Sequence, residues 1–147
     1  MKKKKIIIGI LIVAWIGFIW GHSMQPADVS DGESGRFLAF FSTFIPALKE
    51  AEDGMFIIRK AAHFTEYTIL GVLLSLEFVN FVRGWFRRFV DPVLGALTVA
   101  FIDETIQLFV EGRSGQVSDI WIDVAGAALG TLITLAIFGN RRGKRAH

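Results

Sequence analysis

The sequence predicts an all-α, polytopic membrane protein: a four-transmembrane-helix bundle with an extracytoplasmic interfacial helix between spans one and two. Three observations carry that prediction. Apolar runs of membrane-spanning length recur along the 147 residues. The chain is 52% hydrophobic with a mean hydropathy of +0.49, more apolar than a soluble domain of this length. Its basic residues collect at the ends of the apolar runs, as membrane orientation demands. The absence of Cys excludes disulfides, thiol catalysis and Cys-ligated metals.

Residues 1–5 are a basic start, and nearly uninterrupted apolar sequence follows, so span one is expected at about 6–21. A short apolar core behind lysines also suits a secretory signal. No small-x-small cleavage site follows it, because the chain reads Ile19-Trp20-Gly21-His22-Ser23-Met24, and the segment is read as an uncleaved span.

Residues 21–53 read as a long loop, turn-rich and acidic over 30–34. Within it Phe37, Phe40, Phe41, Phe44 and Leu48 recur at helical spacing beside Arg36 and Lys49. That pattern predicts a short helix over 36–48, lying flat in the headgroup plane, re-entering, or capping the bundle.

Span two is expected at 61–82, followed by Arg83, Trp85, Phe86, Arg87, Arg88 and Phe89 as basic and aromatic anchors. Asp91 and Pro92 suit the cap and first turn of span three, at 92–110. A polar turn over 111–118 leads into span four at 119–138, and Arg141, Arg142, Lys144 and Arg145 close the chain. In this arrangement 11 of the 16 Lys and Arg fall on one side, which makes that side cytoplasmic. Both termini are then cytoplasmic, and the whole chain forms a single membrane domain.

Ionisable residues interrupt the apolar runs at one depth, near the external ends. Arg59, His63, Glu66 and Tyr67 fall at i, i+4, i+7 and i+8 and share a helix face, with Lys60 beside them. Asp103, Glu104 and Gln107 lie near the end of span three, and Asp119 and Asp123 open span four one turn apart. Arg113 and Ser114 occupy the turn between those spans, while His22, Ser23 and Gln25 end span one at the same level. Charges at membrane depth are costly, so they should face protein or water. Gly126 and Gly130 continue the aspartate face, and small residues four apart let helix backbones approach closely. That puts Asp119 and Asp123 inside the bundle. Residues 70–76 and 93–102, deeper in spans two and three, by contrast carry only Ser75 and Thr98 as polar side chains.

Three stretches resemble the VanZ family of small bacterial membrane proteins. They are Ser23-Met24-Gln25-Pro26, the run from Arg59-Lys60 through His63, Glu66 and Tyr67 to Gly71, and the run from Asp103-Glu104 through Gln107 and Gly112-Arg113-Ser114-Gly115 to Asp119, Asp123, Gly126 and Gly130. The chain departs from the common pattern at Met24, where a second Ser is frequent, and at Glu111, where Pro often precedes Gly-Arg. Neither departure removes an ionisable member of the cluster. The resemblance implies a role in the cell envelope, because the family's founding member is associated with resistance to the glycopeptide teicoplanin. It also implies a place at the outer membrane face, near lipid-linked wall precursors, and leaves the chemistry open.

The candidate catalytic residues are His63, Glu66, Asp103, Glu104 and Asp123. His63 with Glu66 suits a general acid or base and its orienting carboxylate, or else hydrogen-bonded glue between helices. The crowded carboxylates need protons, cations or a metal. Arg59, Lys60 and Arg113 could neutralise them, and with His63 they could also hold a divalent ion, though no spacing is diagnostic. The candidate substrate-binding residues are Arg59, Lys60, Tyr67, Gln107, Arg113, Ser114, Asp119, Ser23 and Gln25. Arg113 in its Gly-Arg-Ser-Gly turn suits a bidentate grip on phosphate, next to the N-terminus of span four. Asp119 there is equally an ordinary cap, and Tyr67 and Trp121 suit interfacial anchors. Glu77 and Asn80 are given no role.

Three functions remain open at this stage. The first is an outer-leaflet enzyme acting on a phosphate-bearing lipid or lipid-linked wall precursor. The second is a non-catalytic module that binds antibiotic, lipid precursor or a partner membrane protein. The third, a transporter, ranks last, because it would need a polar path at successive depths or a homo-oligomer to build one. No nucleic-acid partner is expected.

Overall fold

A computed structural model describes residues 2–51, 53–79 and 82–139. Asn80 and the basic cluster at 141–145 lie outside the described residues. Among those described, the chain is all-helical: α1 (Lys2–Ser23), α2 (Ala27–Ser42), α3 (Ala47–Glu50), α4 (Gly54–Phe78), α5 (Trp85–Gln107) and α6 (Val117–Phe138). Two of these, α1 and α6, are long and apolar enough to cross a membrane by length and composition. The other long helices, α4 and α5, have 25 and 23 residues, but the ionisable groups on their buried faces lower their hydropathy.

Several element boundaries differ from the sequence expectation. The helix expected over 36–48 begins at Ala27 and ends at Ser42, with Leu48 in the separate α3, so the acidic 30–34 stretch is helical rather than turn-rich. The second long helix begins at Gly54, seven residues early, where a Cβ would stand 2.5 Å from the Leu48 carbonyl oxygen. The third begins at Trp85, behind Gly84, whose φ of 89° only glycine adopts readily. Pro92 therefore sits inside α5, fully buried, and Asp91 pairs with Arg87 at 3.0 Å instead of capping a helix.

The centre of the bundle is the α4–α6 contact. A Cβ on Gly71 would strike the Ala127 carbonyl, one on Gly126 the Phe64 carbonyl, and one on Gly130 the Thr68 carbonyl. Glycine is required there by contact, since two helix backbones touch with no side chain between them. The helices α5 and α1 close around this pair. Below the polar residues, Ile19, Tyr67, Leu70, Leu74, Ala96, Val99, Ala100 and Ala127 form one apolar core. Tyr67 is fully buried in it, so it is not the interfacial anchor the sequence allowed, whereas Trp121 is exposed. Thr131 and Thr134 add buried hydroxyls to the inner half; Thr134 donates to the Gly130 carbonyl within its own helix turn, at 3.0 Å. The outward faces are apolar, with Ile6, Ile10, Val13, Leu94, Phe101 and Ile133 all exposed.

Candidate functional site

The glycine seam fixes the phase of α6 against α4, and that phase decides where the acids point. Asp119 and Asp123 lie one turn apart on the face that Gly126 and Gly130 continue, so both turn inward. Opposite them α4 presents Lys60, His63 and Glu66, and α5 adds Asp103, Glu104 and Gln107 from its last turns. Each of these is at most 9% exposed, and Asp103 and Asp123 are fully buried. Acids, imidazole and amide from three helices thus converge at one end of the bundle, as the sequence predicts.

The pairing within the cluster differs from the sequence expectation. His63 does not take Glu66 as its carboxylate: its Nδ1 lies 3.3 Å from Asp123 Oδ1, while Glu66 Oε1 lies 2.9 Å from His22 Nδ1. The other ring nitrogen of His22 is 3.3 Å from Glu33 on α2. Lys60 forms a buried ion pair with Asp119 and lies 4.7 Å from the centre of the Phe56 ring. Glu104 Oε2 accepts the Gln116 backbone N–H at 2.8 Å, and Gln107 Nε2 donates to Ser23 Oγ at 3.3 Å and Glu104 Oε1 at 3.4 Å. A Cβ on Gly115 would stand 2.5 Å from the Glu104 carbonyl oxygen, which is why the connecting turn can fold back so closely.

Some groups are left without partners. Both oxygens of Asp103, both of Asp123, His63 Nδ1 and the Tyr67 hydroxyl are buried with no hydrogen bond. The His63–Asp123 contact is thus an ion-pair approach without hydrogen-bond geometry. Buried polar atoms are nearly always satisfied, so a concentration of bare ones at one spot makes this cluster the candidate site.

A small pocket opens onto this cluster. Its lining runs from the half-buried Arg59 and Arg113 and the exposed Gly112, Ser114 and Gln116 at its mouth to the buried His63, Gln107 and Asp119. Arg113 Nη1 donates to Ser30 Oγ at 2.7 Å, and Arg59 lies 3.8 Å from Asp31. Burial, helped by the neighbouring Arg59, pulls the Arg113 guanidinium below its ordinary pKa, yet arginine remains a cation there. Its Nε is buried without a partner, so the fork is only partly used. The turn tolerates Arg113 because Gly112 takes φ 73°, with Ala27 of α2 pressed against it.

Of the sequence-predicted residues, the pocket collects Arg59, His63, Gln107, Arg113, Ser114 and Asp119, and Asp103, Glu104 and Asp123 stand with His63 behind it. Glu66 is turned to His22 on α1, and Lys60 is directed at Asp119. Ser23 reaches the cluster through Gln107, while Gln25 is half-buried with its Oε1 unpartnered. Sequence reasoning missed Ser30, Asp31 and Glu33 on α2 and left His22 without a role. Their signal was the helical spacing of Ser30, Glu33 and Ser34, which is hidden if 30–34 is read as a turn.

Fold and site together define a small all-helical protein, with two membrane-compatible helices and a buried acid–imidazole cluster reached through an arginine-lined mouth. The model of the VanZ/LLP1 family matches residues 8–138, and the chain belongs to that family. Membership links it to glycopeptide resistance. No curated protein and no solved structure matches the chain significantly.

Proposed function

We propose that this is an integral protein of the bacterial cell membrane that acts on a phosphate-bearing lipid or lipid-linked wall precursor at the outer leaflet. In this reading α1, α4, α5 and α6 are the four spans, both termini are cytoplasmic, and α2 lies in the headgroup plane. Several observations support it. Helices of 25 and 23 residues reach roughly 35 Å at ~1.5 Å per residue, enough for a bilayer core. Their ionisable residues face protein while Phe101, Leu94 and Ile69 face outward. Phe37, Phe40 and Phe41 are exposed on α2, and Phe44 just beyond its end, as an interfacial helix requires. The basic residues, counted by the positive-inside rule, put the cluster at the external end.

One observation carries the chemistry: a pocket with two guanidinium groups at its mouth leads to His63, behind which stand carboxylates without partners. Arg59 and Arg113 suit the anionic headgroup, and His63 with Asp123 suits proton handling at the phosphate. The test uses purified full-length protein in vesicles containing a short-chain lipid phosphate or pyrophosphate, with phosphate release or transfer as the readout. His63→Gln should abolish turnover while the protein stays folded, and equal turnover at equal abundance would remove the catalytic reading. Retention of the headgroup without any conversion would instead favour a binding module, a reading that the Lys60–Asp119 lock within the cluster also suits.

A further inference from the structure

We propose that His63, Asp103, Glu104 and Asp123 form a binding site for one divalent transition ion, of the manganese or zinc type. One ligand atom from each of the four residues lies within 4.8 Å of all the others, and every one of the residues is buried. They come from three helices, with His63 on α4, Asp103 and Glu104 on α5, and Asp123 on α6. Convergence of acids alone would prove little, but the hydrogen-bond inventory is independent of it. Asp103 and Asp123 are fully buried, yet among the described residues no donor meets hydrogen-bond geometry at any of their four carboxylate oxygens: Asp103 has only the Ser23 hydroxyl nearby, and Asp123 only the approach of His63 Nδ1 at 3.3 Å. Buried carboxylate oxygens are ordinarily capped by amides or hydroxyls.

The cations nearby are directed elsewhere. Lys60 pairs with Asp119, Arg59 approaches Asp31, and Arg113 donates to Ser30. Two carboxylates at zero exposure beside a single imidazole, His63 at 3.3 Å from Asp123, carry more negative charge than one imidazolium offsets, and an ion at their centre would balance it. An imidazole nitrogen with three carboxylate oxygens is hard to intermediate in character, which suits Mn²⁺ or Zn²⁺ better than Cu⁺ or Ca²⁺. Ligands at about 2.1 Å from an ion stand at most about 4.2 Å apart, so the shell draws in by about half an ångström on loading. The contact of Glu104 with Gln116 and Gln107 holds one ligand in place. The pocket that reaches His63 gives an entry path and would let a phosphate oxygen complete the coordination, where the ion would act as a Lewis acid.

What the ion would do rests on the headgroup reading above, but its presence is tested by binding alone. Full-length protein in detergent, stripped with a chelator, is titrated calorimetrically with MnCl₂ and with ZnCl₂. We expect one equivalent of at least one ion to bind, with a dissociation constant below about 10 μM, and to raise the melting temperature. Asp103→Asn and Asp123→Asn keep shape and remove charge; each should weaken binding at least tenfold. Glu50→Gln, on exposed α3, should leave it unchanged. Circular dichroism checks that the helices are intact, and the Asn variants are expected to be no less stable than the stripped parent. Binding of both ions weaker than about 1 mM, or binding that survives in the Asp103→Asn/Asp123→Asn double variant, would overturn the site. Absence of metal would leave the turnover assay to judge the headgroup reading, and absence of turnover would leave a measured metal site standing.

Discussion

The buried pair between Lys60 and Asp119 offers the sharpest energetic test of how this cluster is built. Both residues are more than nine-tenths buried, and Lys60 also lies against the Phe56 ring. Taking one partner away leaves a charge stranded in a poorly polarisable place, which typically costs about 3–5 kcal/mol. Replacing Lys60 also forfeits the ring contact, worth about 0.5–1 kcal/mol. Replacing Asp119 forfeits a favourable helix N-terminus interaction, about 0.3–1 kcal/mol. Lys60→Met and Asp119→Asn should therefore each lower stability by roughly 3–5 kcal/mol, a large share of a typical total of about 5–15 kcal/mol. The double variant removes both charges, so most of that loss should return, to within about 1–2 kcal/mol of the parent. Chemical unfolding in detergent, followed by circular dichroism across the four proteins, measures the coupling. Additive losses would refute the pairing and free Lys60 to serve as a headgroup ligand.

The remaining predictions concern the seam and the mouth. Gly130→Ala should cost about 1–3 kcal/mol, because the new Cβ meets the Thr68 carbonyl and also approaches the Val72 amide nitrogen at 2.9 Å, and backbone cannot step aside. Gly9→Ala, which has open space around it, should be neutral or gain up to about 1 kcal/mol of helix propensity. Unfolding curves that rank the two alike would argue against backbone contact between α4 and α6. Arg113→Lys keeps the charge and loses the planar fork, so affinity for a short-chain lipid phosphate, measured by titration, should fall about tenfold, or about 1.4 kcal/mol. Unchanged affinity would remove Arg113 from the headgroup site.

Much of this site was legible because ionisable residues inside apolar runs have few harmless places to go. Asp103, Glu104, Asp119 and Asp123 were expected to turn inward, and the phase of Gly126 and Gly130 gave the reason; the seam against Gly71 and Thr68 is that argument in atoms. Partner choice was not legible. His63 and Glu66 are three residues apart, which on a helix leaves their side chains about 60° apart around the axis. They share a face, yet one addresses α6 and the other α1, so His63 meets Asp123 and Glu66 meets His22. Pro92 misled for a similar reason: its fixed φ and missing N–H suit a helix start, but they are also tolerated within α5. The run around Ser30 to Ser34 has the composition of a turn, and it is helical because tertiary contacts outweigh propensity.

Those contacts give α2 a part in the site that its sequence conceals. Its first half carries Ser30, Asp31 and Glu33, which meet Arg113, Arg59 and His22 in turn, and Ala27 donates its N–H to the Glu111 carbonyl. Its second half carries the exposed phenylalanines. One rigid helix of 16 residues therefore joins the residues that engage both mouth arginines to the surface best suited to a lipid boundary. An anionic headgroup arriving at Arg113 must compete with the Ser30 hydroxyl, a neutral acceptor that a charged phosphate oxygen outbids. Among the described residues Arg59 is held by a long approach to the exposed Asp31, which is weak for the same reason that surface ion pairs are weak. Both guanidinium groups are thus positioned by α2 without being consumed by it. The deeper cation, Lys60, is fully committed to Asp119, and that contrast distinguishes the groups that hold the bundle together from those left available for a ligand.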